Sequence, residues 1–307
     1  ETLANGLSTT STYDTAARRT HLTLPDGSHI AYHYTADRLT TITRSALTHT
    51  YSHSYDYTCD LPTGECHIAS LGTTRHTYDL LCRPLTTATP YTTTTIHAYD
   101  PCGNILSCDD KRFTYDAHNH LASEPGHTYT YDASHNRLSH NAEKTTHTPL
   151  HTQEGLDHTP TGCPLAHNDA ELTYDALDRL IAYRNGSVDI TYTYDAFDRR
   201  VTKTVNGTPT HYLYDGQDEI GTFDPATRTL KELRVLGLGK GAEIGASVAI
   251  ELGTWIYLPL HDHFGNITFL LNTHLRTRTH AAYTAFGETS APLTPWGFRS
   301  KRHDSET

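Results

Sequence analysis

A tyrosine returns along this chain at nearly even intervals, and few folds can accommodate that. The positions are Tyr13, Tyr34, Tyr55, Tyr78, Tyr99, Tyr115, Tyr131, Tyr174, Tyr194 and Tyr214, with steps of 21, 21, 23, 21, 16, 16, 43, 20 and 20 residues. A recurring period of this size signals a repeat array. The stretch T-Y-T-Y-D-A-F-D-R-R-V, Thr191–Val201, holds the unit in its clearest form. Thr191 and Thr193 point to one face of a strand and Tyr192 and Tyr194 to the other, because strand side chains alternate. Asp195 opens a turn, its carboxylate able to accept from backbone N–H groups ahead of it. Asp198 stands at the fourth place after Tyr194, where a left-handed residue is expected; Gly, Asn and Asp adopt that conformation at least cost. Arg199, Arg200 and Val201 begin the return strand.

The other units follow suit. The turn place is read as Asp37, Gly103, Asn119, Asn136, Asp178 and Asp198, and a basic residue with Leu often follows, as in Arg38-Leu39, Arg137-Leu138 and Arg179-Leu180. The step of 43 hides a degenerate copy, with Leu156-Asp157 in place of Tyr-Asp and Gly162-Cys163-Pro164-Leu165 as turn and exit. About 20 residues hold two strands of ~6–8 residues and two tight turns. Nothing has a helical apolar period, so each unit reads as a hairpin. A lone hairpin is marginal in water, so the hairpins must pair in a continuous sheet, with the tyrosines stacked across it. Two hairpins also make a propeller blade, which is the second architecture the period allows; steps that slip from 16 to 23 residues argue against a ring of equal blades.

With 36% hydrophobic and 19% charged residues the chain is poor in apolar groups for its 307 residues. A single sheet layer, wetted on one or both faces, fits that composition. The net charge of −11 and the lack of Lys/Arg runs speak against a nucleic-acid groove. No apolar run approaches the ~20 residues of a membrane span. The chain has no Met and no leader, and reads as a piece of a longer protein.

The motifs that could carry chemistry are weak. Cys59 and Cys66 flank one turn and Cys102 and Cys108 another, so either pair could form a cross-hairpin disulfide in a secreted protein. Gly237–Ala242 formally matches G-x-G-x-x-A, but the residues after it, Ile244–Leu252, read as strand, which favours a glycine-rich turn over a nucleotide site. His261-Asp262-His263 could hold a metal, yet the 23 histidines are scattered and most read as solvated strand or turn residues. No carboxylate dyad and no G-x-S-x-G elbow stands out. No cofactor is expected.

The Y-D-x-x-(G/N/D)-R-L units resemble those of the RHS/YD-repeat family over nearly the whole chain. The matching tyrosine–aspartate pairs are Tyr78-Asp79, Tyr99-Asp100, Tyr115-Asp116, Tyr131-Asp132, Tyr174-Asp175, Tyr194-Asp195 and Tyr214-Asp215. Leu24-Pro25-Asp26-Gly27 with Ile30–Tyr34 and Asp37-Arg38-Leu39 is a further match, as is Tyr214-Asp215-Gly216 through Phe223-Asp224-Pro225. His261-Asp262-His263-Phe264-Gly265-Asn266-Ile267, Tyr283–Glu288 with Phe286-Gly287, Phe298–Arg302 and Asp304–Thr307 look like the opening of the family's RHS-associated core.

The resemblance implies an all-β fold, tandem β-hairpin YD repeats in a spiralling sheet that forms part of a hollow shell. It implies a repeat array over residues 1–250 and the start of a core domain over 251–307. In bacterial toxins of this kind the shell encloses a C-terminal toxin segment; in teneurins a similar shell serves surface adhesion. The expected role is therefore a structural, non-enzymatic shell segment of a secreted or surface-delivered polymorphic toxin. Its expected partner is its own C-terminal toxin segment or a companion shell subunit. The alternative is a cell-surface protein that binds carbohydrate or another protein. The family's self-cleaving protease region would lie beyond Thr307, so no catalytic residue is carried over. A sheet cut at that point would leave an unpaired edge, and poor behaviour in solution is expected of residues 1–307 alone.

Overall fold

The computed structural model describes residues 1–58, 61–68, 71–148, 152–167, 169–238, 247–288 and 292–306. The chain divides into two units: Glu1–Thr93 with Thr193–Lys203 and Pro209–Glu306, and Thr94–Tyr192 with Thr204–Thr208. Both are built of antiparallel strands, each paired with its neighbour in sequence.

In the first unit, eight strands from Thr10–Tyr13 to Pro84–Ala88 form one ladder in chain order. Eight consecutive strands in a ladder leave no place for four-stranded propeller blades. A second ladder runs from Thr208–Asp215 to Arg278–His280. The expected single layer does not hold here. Leu22, Ile30 and Ile42 of the first ladder and Leu213, Leu233, Val235 and Leu258 of the second belong to one buried cluster. The composition hid this because the buried face also uses polar side chains. Arg44 is 1% exposed, and its guanidinium donates Nε to Glu251 Oε1 (3.1 Å) across the core. Tyr51 donates its hydroxyl to the same carboxylate oxygen (2.8 Å), and that acceptor, with burial as the larger cause, pushes the phenol well above its usual range.

The second unit carries shorter ladders: Thr93–Tyr99 to Lys111–Arg112, Thr114–Tyr115 to Glu143–Lys144, and Ala166–His167 to Val188–Tyr194. One of its small cores is Ile96, Cys108 and Phe113. Buried Tyr192 between exposed Thr191 and Thr193 shows the alternation expected of this strand.

Candidate functional site: the YD turns and a histidine-lined cavity

The repeated turn is one device used many times. In the copy at Tyr194, the Asp195 N–H donates to the Arg199 carbonyl (3.0 Å) and the Asp198 N–H returns to the Asp195 carbonyl (3.3 Å). Asp195 Oδ1 accepts from the N–H groups of Phe197 (2.9 Å) and Arg199 (3.1 Å), while Oδ2 takes Arg199 Nε (2.7 Å). This is a three-residue hairpin loop that closes on a left-handed residue and a bulge. Asp198 supplies that residue with φ 61° and Asp178 with φ 59°, as the sequence requires. Oδ1 receives the backbone N–H of the residue four places on at Asp14, Asp79, Asp100, Asp116, Asp132, Asp175 and Asp262 as well. The side chain at that place is Arg, Asn or His, and it donates to Oδ2 each time. At Asp14, Asp79, Asp100, Asp116, Asp132, Asp175 and Asp195 the carboxyl group is held below the usual Asp range. At Asp195 the lowering comes from Arg199 and the Phe197 N–H, working against burial, the largest influence. Asp116 is lowered to about 2 by His120 and the His118 N–H, again against burial as the largest influence.

The left-handed place is less selective than the sequence reading assumed. Ala17, Cys82 and His135 fill it with φ of 59°, 59° and 69°. In the Tyr131 copy the residue is therefore His135, and Asn136 is the side-chain donor to Asp132. After Tyr34 the loop has two residues, because Thr35 pairs with Arg38; Ala36 (φ 51°), rather than Asp37, is left-handed. Asp215 also departs from the pattern. It pairs with Asp218 across Gly216, and its carboxylate binds Arg19 Nη1 at 2.5 Å. The degenerate copy is shifted by two residues: Thr159 stands for Asp, accepting from the Cys163 N–H (3.0 Å), with Gly162 left-handed. His158 rather than Leu156 precedes it, and pairs with Pro164. Thr284 does the same work before Gly287, where an added Cβ would sit 2.7 Å from the Phe298 ring. Gly265 is left-handed in the Asp262 copy, and Phe286, in the Thr284 turn, is 42% exposed.

In six copies a tyrosine hydroxyl links its turn to the one before. Tyr34 donates to the Arg19 carbonyl (3.2 Å), Tyr57 to Leu39 (2.6 Å), Tyr78 to Pro62 (2.9 Å) and Tyr214 to Arg200 (3.0 Å). In the second unit Tyr115 donates to Ile105 (3.0 Å) and Tyr131 to Leu121 (2.9 Å). The acceptor commonly lies two residues past the left-handed one, at the exit of the previous turn. Tyr57, not Tyr55, plays this part; the Tyr55 hydroxyl accepts from the Leu238 N–H (3.0 Å) instead. The Arg of one copy also covers the tyrosine of the next, Arg18 over Tyr34 at 5.1 Å and Arg199 over Tyr214 at 5.4 Å. Tyr99 and Tyr174 are half-buried at the corresponding place.

The first unit holds a cavity of about 830 Å³ between its ladders. Tyr55, Tyr57 and Tyr78 line it together with His53, Glu65, His67, His76 and His261. His53 is 2% exposed and His67 4%, so these are not the solvated histidines the sequence suggested. Glu65 Oε1 lies 3.2 Å from His76 Nε2, and Oε2 lies 3.6 Å from His53 Nε2. Burial pulls His53 and His261 down to about 4, and against burial as its largest influence Glu65 is held below its usual range by His76 and His53. Only strand pairing shows this cluster, because its members are drawn from three neighbouring strands and a distant fourth. Asp262 is taken up by its turn, and among the described residues no set of three His, Cys, Asp or Glu is placed to hold a metal. Cys102 is a free exposed thiol, so the Cys102–Cys108 bridge is not made; Cys108 packs inside with Ile96 and Phe113. Cys59 and residues 239–246 of the glycine-rich motif lie outside the described residues.

A family model described as Teneurin YD-shell matches residues 73–295. The chain belongs to the RHS/YD-repeat family. Solved structures agree with that fold. The Tc holotoxin pore of Photorhabdus luminescens, in a TccC3 mutant form, superposes on this chain with a TM-score of 0.73 at 16% identity, covering 97% of this chain and 19% of that one. A TcdB2–TccC3–Cdc42 crystal structure gives 0.74 at 15% identity, with the same coverage of 97% and 19%. This chain thus spans about a fifth of the length of those chains. No match was found among curated proteins. No helix among the described residues is long and apolar enough to cross a membrane.

Proposed function

We propose that this chain is a wall segment of an RHS-type shell that encloses a toxin cargo carried C-terminal to it, in a secreted or surface-delivered protein. Residues 1–250 would be repeat wall and 251–307 the entry to the RHS-associated core. The observation that supports this most is the repeated turn, in which one hydrogen-bond pattern recurs from Asp14 to Asp262 and six tyrosines tie their hairpins to the one before. Such a pattern extends a sheet indefinitely with little core, which suits a wall. TcdB2 and TccC3 occur together in the matching structures, and a companion shell subunit is the partner this suggests here. The role is architectural, with no bond made or broken by these residues.

The test is protease protection in the full-length product that contains this chain. A tag placed in the segment C-terminal to the core should survive protease in the native protein and be digested once the shell is unfolded. Digestion at the same rate in both states would sink the encapsulation reading and leave a surface-binding role.

A further inference from the structure

The histidine-lined cavity has a property that a passive wall does not need. Neither ring nitrogen of His53 has a hydrogen-bond partner in the protein, and Nε2 stands beyond bonding distance of Glu65. The same holds for Nδ1 of His67, whose Nε2 bonds Thr74 Oγ1 at 2.7 Å, and for Nε2 of His261. Five imidazoles and three carboxylates thus line a space whose walls come from both ladders of the first unit. On the first ladder, His53 faces Glu65, His67 and His76, with the Tyr55 ring at 4.8 Å. On the second, His261 is followed by Asp262 and His263, with Arg234 within electrostatic reach. Asp37, Arg38 and Arg299 complete the charged lining. Glu65 is the one acid beside His53, and it already serves His76.

We propose that this cavity is an acid-sensitive joint, at which protonation of His53 and His261 loosens the first ladder of the first unit from the second. Each new cation would be largely shielded from water, with Glu65 shared between the two and Asp262 already engaged by its turn, and charges buried without partners are costly. The sign follows from the direction in which burial moves these groups. The folded protein binds the proton less readily than the unfolded chain does, so stability present above about pH 6.5 falls as the pH drops toward 4 and levels off below it. Each imidazole should lower the folded-to-unfolded ratio by roughly 100-fold or more across that window. Turn aspartates such as Asp116 and Asp195 act in another range: their stabilising ionisation is lost only below about pH 4.

The experiment is a denaturant series on the full chain between pH 7.5 and 4, with His53→Phe, His261→Phe and the double variant alongside. The fall in the folded-to-unfolded ratio should shrink to less than about tenfold in the double variant. An unchanged pH dependence would overturn the proposal, as would the absence of any fall above pH 4 in the parent chain. Should the variants not fold, hydrogen exchange on the parent decides. Amides of Thr50–Thr58 and Trp255–His261 should lose protection by pH 5, before those of Thr208–Asp215. Loss in the reverse order, or at one common pH, would equally refute it.

Discussion

Removing the Asp195 carboxylate tests whether the YD turns hold the sheet together or merely decorate it. The Asp195 side chain is 7% exposed and Arg199 5%, and Asp195 accepts two backbone N–H groups along with Arg199 Nε and Nη2, both at 2.7 Å. Asp195→Ala leaves Arg199 with the Glu1 carboxylate (2.6 Å) and the Gly216 carbonyl (2.5 Å). Breaking one side of a buried ion pair costs roughly 3–5 kcal/mol, and the two surviving acceptors place this case near the lower end, about 3 kcal/mol. Asp14 makes the same set of bonds with Arg18, but in the open, with 24% and 31% of the side chains exposed. Water can replace much of what Asp14→Ala removes, so its effect should be well under half that at Asp195. Denaturant melts of both variants, compared by midpoint at constant slope, would measure this. Equal losses would refute the reasoning, because they would mean that burial of the ion pair does not set the strength of the turn.

Three further outcomes follow from the same geometry. Asp198→Val should cost about 1–2 kcal/mol or more at φ 61° and Asp198→Gly close to nothing, read by the same melts. Tyr78→Phe removes the bond to the Pro62 carbonyl and should cost about 1 kcal/mol, with hydrogen exchange rising first around Leu61–Cys66. Glu251→Ala strips Arg44 and Tyr51 of their shared acceptor in the core; a loss of about 3 kcal/mol or more is expected, and Arg44→Met should recover part of it in the double variant.

The repeat was legible because a turn is a local event. Asp195, Asp198 and Arg199 lie within five residues, and their chemistry dictates the loop whatever surrounds it. The reading slipped where two loops share one sequence style. Asp37 stands three places after its tyrosine where Asp198 stands four, and this shorter spacing goes with a two-residue loop closed by Thr35 and Arg38. The cavity was illegible for a different reason. His53, Glu65 and His76 meet through register across three strands, and His261 arrives from about 200 residues further on. Arg44 and Glu251 were hidden likewise: as single residues both read as surface charges, and only the packing of two ladders buries them together.

The tyrosine bonds all run one way. Tyr34, Tyr57, Tyr78, Tyr115, Tyr131 and Tyr214 each reach toward the lower-numbered turn, so at these junctions a hairpin is completed by its successor. A ribosome emits the chain in that same order. At each of these junctions the closing hydroxyl therefore emerges after the carbonyl it binds, like a zip fastened from the N-terminal end. The rule concerns only the junction between neighbours, not the length of strand in between. Steps of 16 and 21 residues can consequently stand side by side, and the gain or loss of one whole hairpin leaves every remaining junction able to close.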